Sequence, residues 1–543
     1  MAIARSFITL KNGKQVHYRK SGDGSPLVML HPSPQCSETL LPAIKSFSEH
    51  CTCFALDTPG YGLSDDINID VPNMNDYATI IIEAINQLGI ERFALYGSAT
   101  GAQIAIEIAK QCEDRVALLM LDTNGHASNE EIERLQDGYF PDVTPKRDGG
   151  HLFTYWDMCR HLFVSFPWHS GLCSDRIKID LPPADYIHQI FIRYLRAGRD
   201  YKKAYHAALL VENAEHLKGV RVPTTILRWQ GSIILNLTDA LINQKLSENI
   251  KILNAGPTLD DRYSAQLEAL KENYQEVLSY DTPNSISDGL QRSFLKTGEL
   301  DIHMLSSIGG SGDPIVLLHD LAGAGNNLIQ IAEPYIGKNP LYILDLPEHG
   351  ETSSIETDLS VETIAIPIAA ALKQNDLLGC KIVGVGFGGA IALKVAELIS
   401  VDHVYVIDPM IYSVQDRDRF LVQEYPDFIP RTDGSHLASI WAMIRDQELY
   451  YPWFDHRKEA IRERTANLDT DYLHQNTENF LKVIHKYKKL KLLELSYEWR
   501  NQIDSVTTAY SPDHPLISNL TDDPPISLPQ DKTEWLNYLF DKG

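Results

Sequence analysis

RFALYGSATGAQIA, at residues 92–105, and KIVGVGFGGAIAL, at residues 381–393, follow one pattern. Each stretch begins with a short apolar run, passes through a glycine-rich corner and continues into an alanine-rich segment. The apolar run predicts a buried strand, and the alanine-rich segment predicts a helix. Only small residues fit where a strand feeds a helix through so tight a turn. We therefore predict the same strand, sharp turn and helix twice in this chain.

The corner keeps its glycine spacing in both stretches but has no nucleophile at its centre. The outer glycines are Gly97, Gly101, Gly384 and Gly388. The central residues are Ala99 in the first stretch and Gly386 in the second. This arrangement resembles the nucleophile elbow of the α/β-hydrolase superfamily, G-x-S-x-G, which presents its central residue at the top of the sheet. The resemblance implies an α/β-hydrolase fold in which neither central side chain can attack a substrate.

Further landmarks occur in the same order in both halves. An apolar strand ends at a histidine, the next strand ends at a D-x-P-x-x-G segment, and the strand after the corner ends at an aspartate. These landmarks begin at His31, Asp57 and Asp122 in the first half and at His319, Asp345 and Asp408 in the second. Strands that alternate with helical segments predict a mostly parallel sheet with helices on both faces. The resemblance covers nearly the whole chain twice and implies two tandem α/β-hydrolase-like domains, each a mostly parallel twisted sheet with flanking helices and a helical cap.

A second repeat lies where many members of this superfamily insert the cap. Residues 141–168 align without a gap with residues 426–453, and 12 of the 28 aligned pairs are identical, which indicates a gene duplication. The predicted domains are residues 1–276, with a cap at about 126–216, and residues 291–543, with a cap at about 411–500. Between them, the polar, turn-rich residues 274–290 are predicted to be the linker.

The partners of an ordinary hydrolase nucleophile are missing from the expected places. In this superfamily the base is a histidine in the loop after the last strand. The first half has no histidine after His216, and in the second half His514 precedes the last predicted strand. We therefore expect no ordinary ester or amide hydrolysis. Ser98 and Thr100 flank the first corner, either as a displaced nucleophile or as small polar residues that fill the turn.

Two other pairs of residues are candidates for chemistry. Asp122 and Asp408 could be carboxylates of a pocket or could cap the following segment. His151 and His436, in a shared D-G-x-H-L motif, could replace the missing base or could be cap histidines bonded to the backbone. The cap residues Trp156, Arg160, Trp441 and Arg445 recur at helical spacing, which favours packing and ion pairs over ligand contacts.

The resemblance also implies a set of pocket residues, because the loop after the strand-histidine landmark supplies part of the oxyanion hole in this superfamily. The set is His31, Pro32, Ser98, Ala99, Thr100, His319, Asp320, Gly386 and Phe387. Residues 384–389 also fit the dinucleotide fingerprint G-x-G-x-x-G. That fingerprint belongs on the first strand of its domain, whereas several strands precede this one. We therefore expect no cofactor.

Composition limits the partners. The chain has 543 residues, a formal net charge of −24 and seven cysteines. So large a negative charge repels phosphate backbones and anionic lipid, and we expect neither nucleic acid nor a membrane surface as a partner. The cysteines show neither disulfide nor zinc spacing, and no apolar run suits a signal peptide or a membrane span. These features predict a cytoplasmic protein without a metal site.

Three functional hypotheses remain open. The chain could bind a small apolar or carbonyl-bearing ligand without hydrolysing it. It could instead be an enzyme that forms no covalent intermediate, such as a lyase, isomerase or cyclase. It could also be an interaction module, as a homo-oligomer or as the partner of an active homologue. Fold alone does not choose among them.

Overall fold

Apolar runs bounded by glycine and proline turns form the strands, as the sequence pattern predicts. The computed structural model describes residues 2–274, 289–298, 300–422, 428–499, 506–511, 514 and 526–542. The chain separates into two units. Unit 1 comprises Met1–Thr144 and His151–Ser287, and unit 2 comprises Pro145–Gly150 and Asp288–Gly543. Residues 275–288, most of the predicted linker, lie outside the described residues.

Unit 1 contains one sheet with helices on its flanks. Its strands are β1 Ala4–Thr9, β2 Gln15–Ser21, β3 Pro26–Leu30, β4 Thr52–Leu56, β5 Phe93–Ser98, β6 Val116–Asp122, β7 Thr224–Trp229 and β8 Ile250–Ala255. Its helices are α1 Leu41–Phe47, α2 Met74–Gln87, α3 Thr100–Gln111, α4 Asn129–Gln136, α5 Gly150–His161, α6 Ala184–Ala197, α7 Lys203–Leu209, α8 Leu235–Ile242 and α9 Leu259–Asn273. The strand order is β1-β2-β4-β3-β5-β6-β7-β8. Strand β2 is antiparallel to both neighbours, and from β4 to β8 the strands are parallel.

Unit 2 repeats this architecture. Its strands are β9 Gln291–Thr297, β10 Leu300–Ser307, β11 Ile315–Leu318, β12 Leu341–Leu344, β13 Lys381–Val385, β14 His403–Ile407, β15 Thr507–Tyr510 and β16 Ile526–Ser527. Its helices are α10 Ile329–Ala332, α11 Val361–Gln374, α12 Phe387–Leu398, α13 Val414–Val422, α14 Ser435–Leu449, α15 Thr470–Val483, α16 Tyr487–Ser496 and α17 Trp535–Lys542. The strand order β9-β10-β12-β11-β13-β14-β15-β16 is that of unit 1. The predicted fold, two mostly parallel sheets with flanking helices, is therefore confirmed.

The core follows from the alternation of side chains along each strand. In β11, Val316 and Leu318 face one apolar cluster, whereas Ile315 and Leu317 face another. Both faces of the strand are buried, which explains why its sequence is continuously apolar. Burying each such side chain contributes about 1.5–3 kcal/mol. The sheet of unit 2 is thus the middle of three layers.

Helices α4–α7 lie between β6 and β7, and α13–α16 lie between β14 and β15. Asp148 and Asp433, which precede α5 and α14, cap these helices at matching places. Asp148 Oδ1 accepts a hydrogen bond from the Gly150 amide at 2.9 Å, and Asp433 Oδ1 accepts one from the Ser435 amide at 3.0 Å. Each carboxylate therefore satisfies the first amide of its helix. In the described part of the chain, no helix combines the length and apolar character that crossing a bilayer requires.

Candidate functional site

The sharp turn between strand and helix has the same backbone conformation in both units. Ala99, between β5 and α3, has φ 50° and ψ −115°, and Gly386, between β13 and α12, has φ 51° and ψ −121°. The Ala99 amide donates to the Asp122 carbonyl at 3.0 Å, and the Gly386 amide donates to the Ile407 carbonyl at 2.8 Å. A positive φ costs a non-glycine residue about 1–3 kcal/mol, so Ala99 occupies a strained position.

Close packing explains the outer glycines. A Cβ atom on Gly97 would lie 2.3 Å from the Gly101 carbonyl oxygen, and one on Gly101 would lie 2.3 Å from the Leu30 carbonyl oxygen. In unit 2, a Cβ on Gly384 would lie 2.4 Å from the Gly388 carbonyl oxygen. Such distances are far inside van der Waals contact, so these positions require glycine.

His31 and His319 join two loops and do not act as bases. His31 Nδ1 donates to the Pro32 carbonyl at 2.9 Å, and its Nε2 accepts from the Thr58 amide at 2.9 Å. The His319 ring makes the same two bonds, to the Asp320 carbonyl at 2.7 Å and from the Leu346 amide at 2.9 Å. Burial lowers the pKa of both rings. Each is therefore a neutral ring whose two nitrogens are already in use.

Each unit also holds a buried histidine–aspartate pair in this loop. His17 Nδ1 lies 2.8 Å from Asp57 Oδ2, and His303 Nδ1 lies 2.8 Å from Asp345 Oδ2. Burial by itself would raise the pKa of Asp57, but the charge and hydrogen bond of His17 hold it well below its ordinary value. Asp57 and Asp345 begin the D-x-P-x-x-G landmarks. In the structure each accepts one backbone amide of its own loop and one amide of the loop that follows β3 or β11. The sequence analysis did not single out either histidine.

A carboxylate fills the elbow of unit 2. Asp320 Oδ1 accepts the amides of Leu321 at 2.7 Å and Phe387 at 2.8 Å. A Cβ on Gly386 would lie only 2.1 Å from this oxygen. Burial, reinforced by the nearby charge of Glu494, raises the pKa of Asp320 to about 7. The Asp320 carboxylate therefore occupies the space that a side chain at position 386 would need, so only glycine fits at position 386.

Charged groups of helix α16 act on this carboxylate. Glu494, on α16, is 2% exposed and forms an ion pair with Lys491 one turn away. Lys491 Nζ donates to the Tyr412 hydroxyl at 2.9 Å, and that hydroxyl donates to Glu494 Oε2 at 3.2 Å. The charges of Glu494 and Lys491 both act on Asp320. The sequence analysis did not identify Lys491 and Glu494. They could have been found because the repeat aligns these charged residues with Tyr205 and Ala208, which are uncharged.

The equivalent part of unit 1 is aromatic. The hydroxyl groups of Tyr139 and Tyr205 lie 2.7 Å apart, and Trp168 Nε1 donates to the Tyr139 carbonyl at 3.0 Å. Glu212 is the carboxylate beside Tyr205, and burial raises the pKa of Glu212 to about 7. In the loop after β3, Pro32 stands where unit 2 has Asp320, so no side-chain carboxylate comes from that loop position.

The candidate carboxylates Asp122 and Asp408 are not equivalent. Strand pairing matches Asp122 with Ser98, whereas Val385, which precedes Gly386, is matched with Ile407. Asp408 therefore corresponds to Thr123, and the two residues share a positive φ of 51° and 52°. The assumption that both aspartates end their strands in one register is corrected by these ladders.

Their contacts differ as well. Asp122 is 1% exposed, and its Oδ2 accepts from Tyr96, Arg262 and Gln266 at 2.8–2.9 Å. Burial would raise the pKa of Asp122, but the Arg262 guanidinium holds it below its ordinary value. Asp408 Oδ1 accepts the Ser511 amide at 2.6 Å. The Asp122 carboxylate is thus hydrogen-bonded to side chains of α9, whereas the Asp408 carboxylate is bonded to the backbone just after β15.

The other candidates from the insertions make structural contacts. His151 is fully buried, and His436 Nδ1 accepts the Arg431 amide at 3.1 Å. In unit 1, the Trp156 ring packs against the Phe191 ring at 5.5 Å, and Arg160 Nη1 lies 3.1 Å from His161 Nε2. In unit 2, Arg445 forms an ion pair with Asp446 at 2.9 Å. Trp441 Nε1 donates to the carbonyl of Arg147, which also belongs to unit 2, at 3.1 Å. These are packing and capping contacts.

Ser98 and Thr100 are buried on either side of Ala99, at 4% and 3% exposure. Ser98 ends β5, and Thr100 begins α3. Within the described ranges, no three His, Cys, Asp or Glu side chains are grouped so as to hold a metal ion.

The comparisons with known proteins agree with this architecture. No protein-family model matches the chain. It is 30% identical over 147 residues to an (E)-2-((N-methylformamido)methylene)succinate hydrolase of Acinetobacter baylyi, which covers 25% of this chain and 55% of that protein. It is 28% identical over 107 residues to haloalkane dehalogenase 2 of Mycobacterium tuberculosis, with 20% and 37% covered. It is 31% identical over 112 residues to a soluble epoxide hydrolase of a Corynebacterium species, with 20% and 38% covered.

These matches span between 37% and 55% of the relatives' own lengths. Among solved structures, an esterase from Thermogutta terrifontis covers 50% of this chain at 19% identity with a TM-score of 0.37. A bromoperoxidase from Bacillus anthracis covers 50% at 16% identity with a TM-score of 0.38. The chain is therefore similar, over part of its length, to members of the α/β-hydrolase superfamily, and its two sheets repeat one α/β strand order.

Proposed function

We propose that this chain binds a small carbonyl-bearing or apolar molecule and does not hydrolyse esters through a serine nucleophile. One observation carries the proposal. The backbone position that presents the nucleophile in this fold holds Ala99 in unit 1 and Gly386 in unit 2, at nearly identical φ and ψ angles. Neither side chain has an atom that can attack a carbonyl carbon.

The expected base is also replaced. The loop after β8 runs through Gly256 and Pro257 to Thr258, whose hydroxyl accepts the Asp261 amide at the start of α9. Asp122, the nearest candidate for an orienting acid, is held by Arg262. A triad needs a nucleophile, a base and an acid within hydrogen-bond reach of one another. This part of unit 1 supplies none of the three.

The loop amides support a binding role in unit 1. In unit 2 the amides of Leu321 and Phe387 converge on one carboxylate oxygen. The equivalent amides in unit 1 belong to Ser33 and Thr100, and no hydrogen-bond partner for either is found among the described residues. Two converging amides suit the oxygen of a carbonyl or carboxylate group. The Tyr139 and Tyr205 pair would give the rest of the ligand an aromatic surface.

The test combines labelling with ligand binding. We expect no active-site labelling by a serine-reactive fluorophosphonate and no turnover of an ester panel. Small ketones and carboxylates are expected to raise the thermal unfolding temperature, because a ligand that binds only the folded state stabilises it. A specific covalent adduct with the fluorophosphonate would refute the proposal.

A second candidate function is supported by unit 2. The Asp320 carboxylate beside Lys491, Glu494 and Tyr412 supplies acid–base groups without a covalent nucleophile. These groups favour a lyase, isomerase or cyclase over an interaction module, since a merely structural face would not need them.

A further inference from the structure

A buried histidine in unit 2 gives an independent sign of a ligand near Asp320. His349 is 1% exposed, and its Nδ1 donates to the Pro347 carbonyl at 3.0 Å. Its Nε2 therefore carries the lone pair, and this buried atom has no partner among the described residues. The ring packs edge-on at 5.1 Å against His319, the residue before Asp320. A buried acceptor without a donor is costly unless a ligand supplies one.

Tyr61, the residue of unit 1 that is equivalent to His349, makes two hydrogen bonds to the backbone through its hydroxyl group. Asp57 and Asp345 align, which places Tyr61 at the position of His349. The Tyr61 hydroxyl donates to the Tyr201 carbonyl at 2.9 Å and accepts the Ala204 amide at 2.9 Å. It thereby ties the turn to the start of α7. His349 replaces this tyrosine by a shorter ring, and the buried Nε2 acceptor of that ring has no partner among the described residues.

We propose that Asp320 is the general base of a site in unit 2 that takes a small hydroxyketone, with His349 Nε2 accepting the hydroxyl hydrogen bond of that ligand. This inference rests on the proposal that the chain binds carbonyl-bearing molecules. It goes further by naming the residues and the class of ligand. Unit 1 has Pro32 and Tyr61 at these two positions and lacks the site.

The proposed step is the removal of a carbon-bound proton from the ligand by Asp320. A C–H bond of the carbon that carries the hydroxyl group, next to the carbonyl carbon, breaks, and its proton moves to Asp320 Oδ2. The electron pair forms a carbon–carbon double bond, and the carbonyl oxygen becomes an enolate oxygen near the Lys491 ammonium. Asp320 Oδ1 remains bonded to the two amides, which fixes the orientation of the base. The proton on Asp320 then exchanges with solvent, and transfer of a solvent proton back to the same carbon restores the hydroxyketone with its C–H proton exchanged.

The electrostatics fit this task. A general base works best when its pKa lies near the working pH. Burial and Glu494 raise the pKa of Asp320 to about 7. Burial lowers the pKa of His349 to about 3, so its ring stays a neutral acceptor. The hydroxyl of the ligand would satisfy the atom that the fold leaves without a partner.

The experiment follows solvent exchange in heavy water. The full chain is incubated with hydroxyacetone or dihydroxyacetone, and loss of the carbon-bound proton signal is measured by NMR. We expect Asp320→Asn to slow exchange by about a hundredfold or more, because general-base help is worth that much. His349→Tyr restores the residue of unit 1 and should weaken binding by about tenfold, which corresponds to 1.4 kcal/mol. Asp313→Asn, at a largely exposed carboxylate in unit 2, is the matched control and should leave exchange unchanged.

Each outcome decides the inference. Exchange that Asp320→Asn retains would overturn it, as would the absence of exchange in the wild type. Binding without exchange would leave the proposed ligand-binding function intact and remove only the role of Asp320. Fluorophosphonate labelling would remove the proposed function instead. If Asp320→Asn does not fold, Asp320→Gly with added formate decides: rescue of exchange by formate supports a catalytic carboxylate, and failure of rescue opposes it.

Discussion

The two units build the same turn but surround it with different charges. In unit 1 the buried Asp122 carboxylate is bonded to Arg262, on α9, and its pKa is lowered. In unit 2 the Asp320 carboxylate lies directly over Gly386, bonded to two neutral amides, and its pKa is raised. Burial by itself would raise the pKa of both carboxyl groups. The difference shows that a direct cation decides whether a buried carboxylate is a structural anion or a group that can exchange protons near neutral pH.

Removing the cation of unit 1 should have the largest effect on stability. Arg262→Met leaves the Asp122 carboxylate buried without its counter-charge, and loss of one partner of a buried pair costs about 3–5 kcal/mol. Urea unfolding followed by tryptophan fluorescence measures it. Arg228→Met, which breaks a pair with the part-exposed Asp239, is the control and should cost much less than Arg262→Met. Equal losses in the two variants would show that Arg262 has no special role.

A methyl group at the elbow of unit 2 should cost nearly as much. In Gly386→Ala the new Cβ lies 2.1 Å from Asp320 Oδ1, at a φ of 51°. Overpacking and backbone strain together predict a loss of about 2–4 kcal/mol. The same substitution in an Asp320→Gly background should cost markedly less, since the clash is gone. A double-mutant cycle with purely additive losses would contradict the shared space.

The pH dependence of stability should separate the two carboxylates. The pKa of Asp320 rises from 3.8 to about 7 on folding, so its contribution is present at low pH and is lost as the pH rises through this range. Asp122, whose pKa is lowered, contributes in the opposite sense and loses stability only in acid. The charges of Glu494 and Lys491 act on Asp320, and the charge of Asp320 acts on the nearby Tyr487 hydroxyl.

Urea midpoints between about pH 4 and pH 8 test this difference. Asp320→Asn should flatten the fall in stability that occurs between about pH 4 and pH 7. Glu212→Gln should remove the similar contribution of unit 1, because burial raises the pKa of Glu212 to about 7. A slope that is unchanged in Asp320→Asn would show that its pKa is not raised on folding.

The smallest effect is expected at the elbow of unit 1. Ala99→Gly relieves a φ of 50° but makes the unfolded chain more flexible. These contributions are each about 1 kcal/mol and oppose one another, so the net change should lie within about 1 kcal/mol of zero. Thermal unfolding measures it. A large loss would mean that the Ala99 methyl group has packing contacts that the comparison with Gly386 does not reveal.

Much of the fold could be predicted from the sequence, because apolar runs and glycine corners act locally. Strands β3, β4, β7 and β12 begin and end where the pattern predicts. The hairpin of β9 and β10 was not predicted, since these strands mix polar and apolar residues around Gly298 and carry only a weak alternation.

The site was harder to predict because it depends on pairing and charge. The one-residue offset between Asp122 and Asp408 is visible only in the strand ladders. Asp320 was assigned to the pocket from its place after His319, but its contact with Gly386 requires three-dimensional proximity. Lys491 and Glu494 come from a helix more than 100 residues away in sequence, and no local pattern links them to the elbow.

The shared space of Asp320 and Gly386 makes the order of mutations important. In unit 1, a single change at Ala99 can add a hydroxyl, because the backbone already carries a Cβ there. In unit 2 the same step is blocked until Asp320 is first replaced, since any side chain at position 386 meets its carboxylate. Introduction of a serine at that elbow therefore requires an intermediate that has lost the buried acid and has not yet gained the hydroxyl. Such an intermediate carries neither group, so the order in which the two positions can change is constrained.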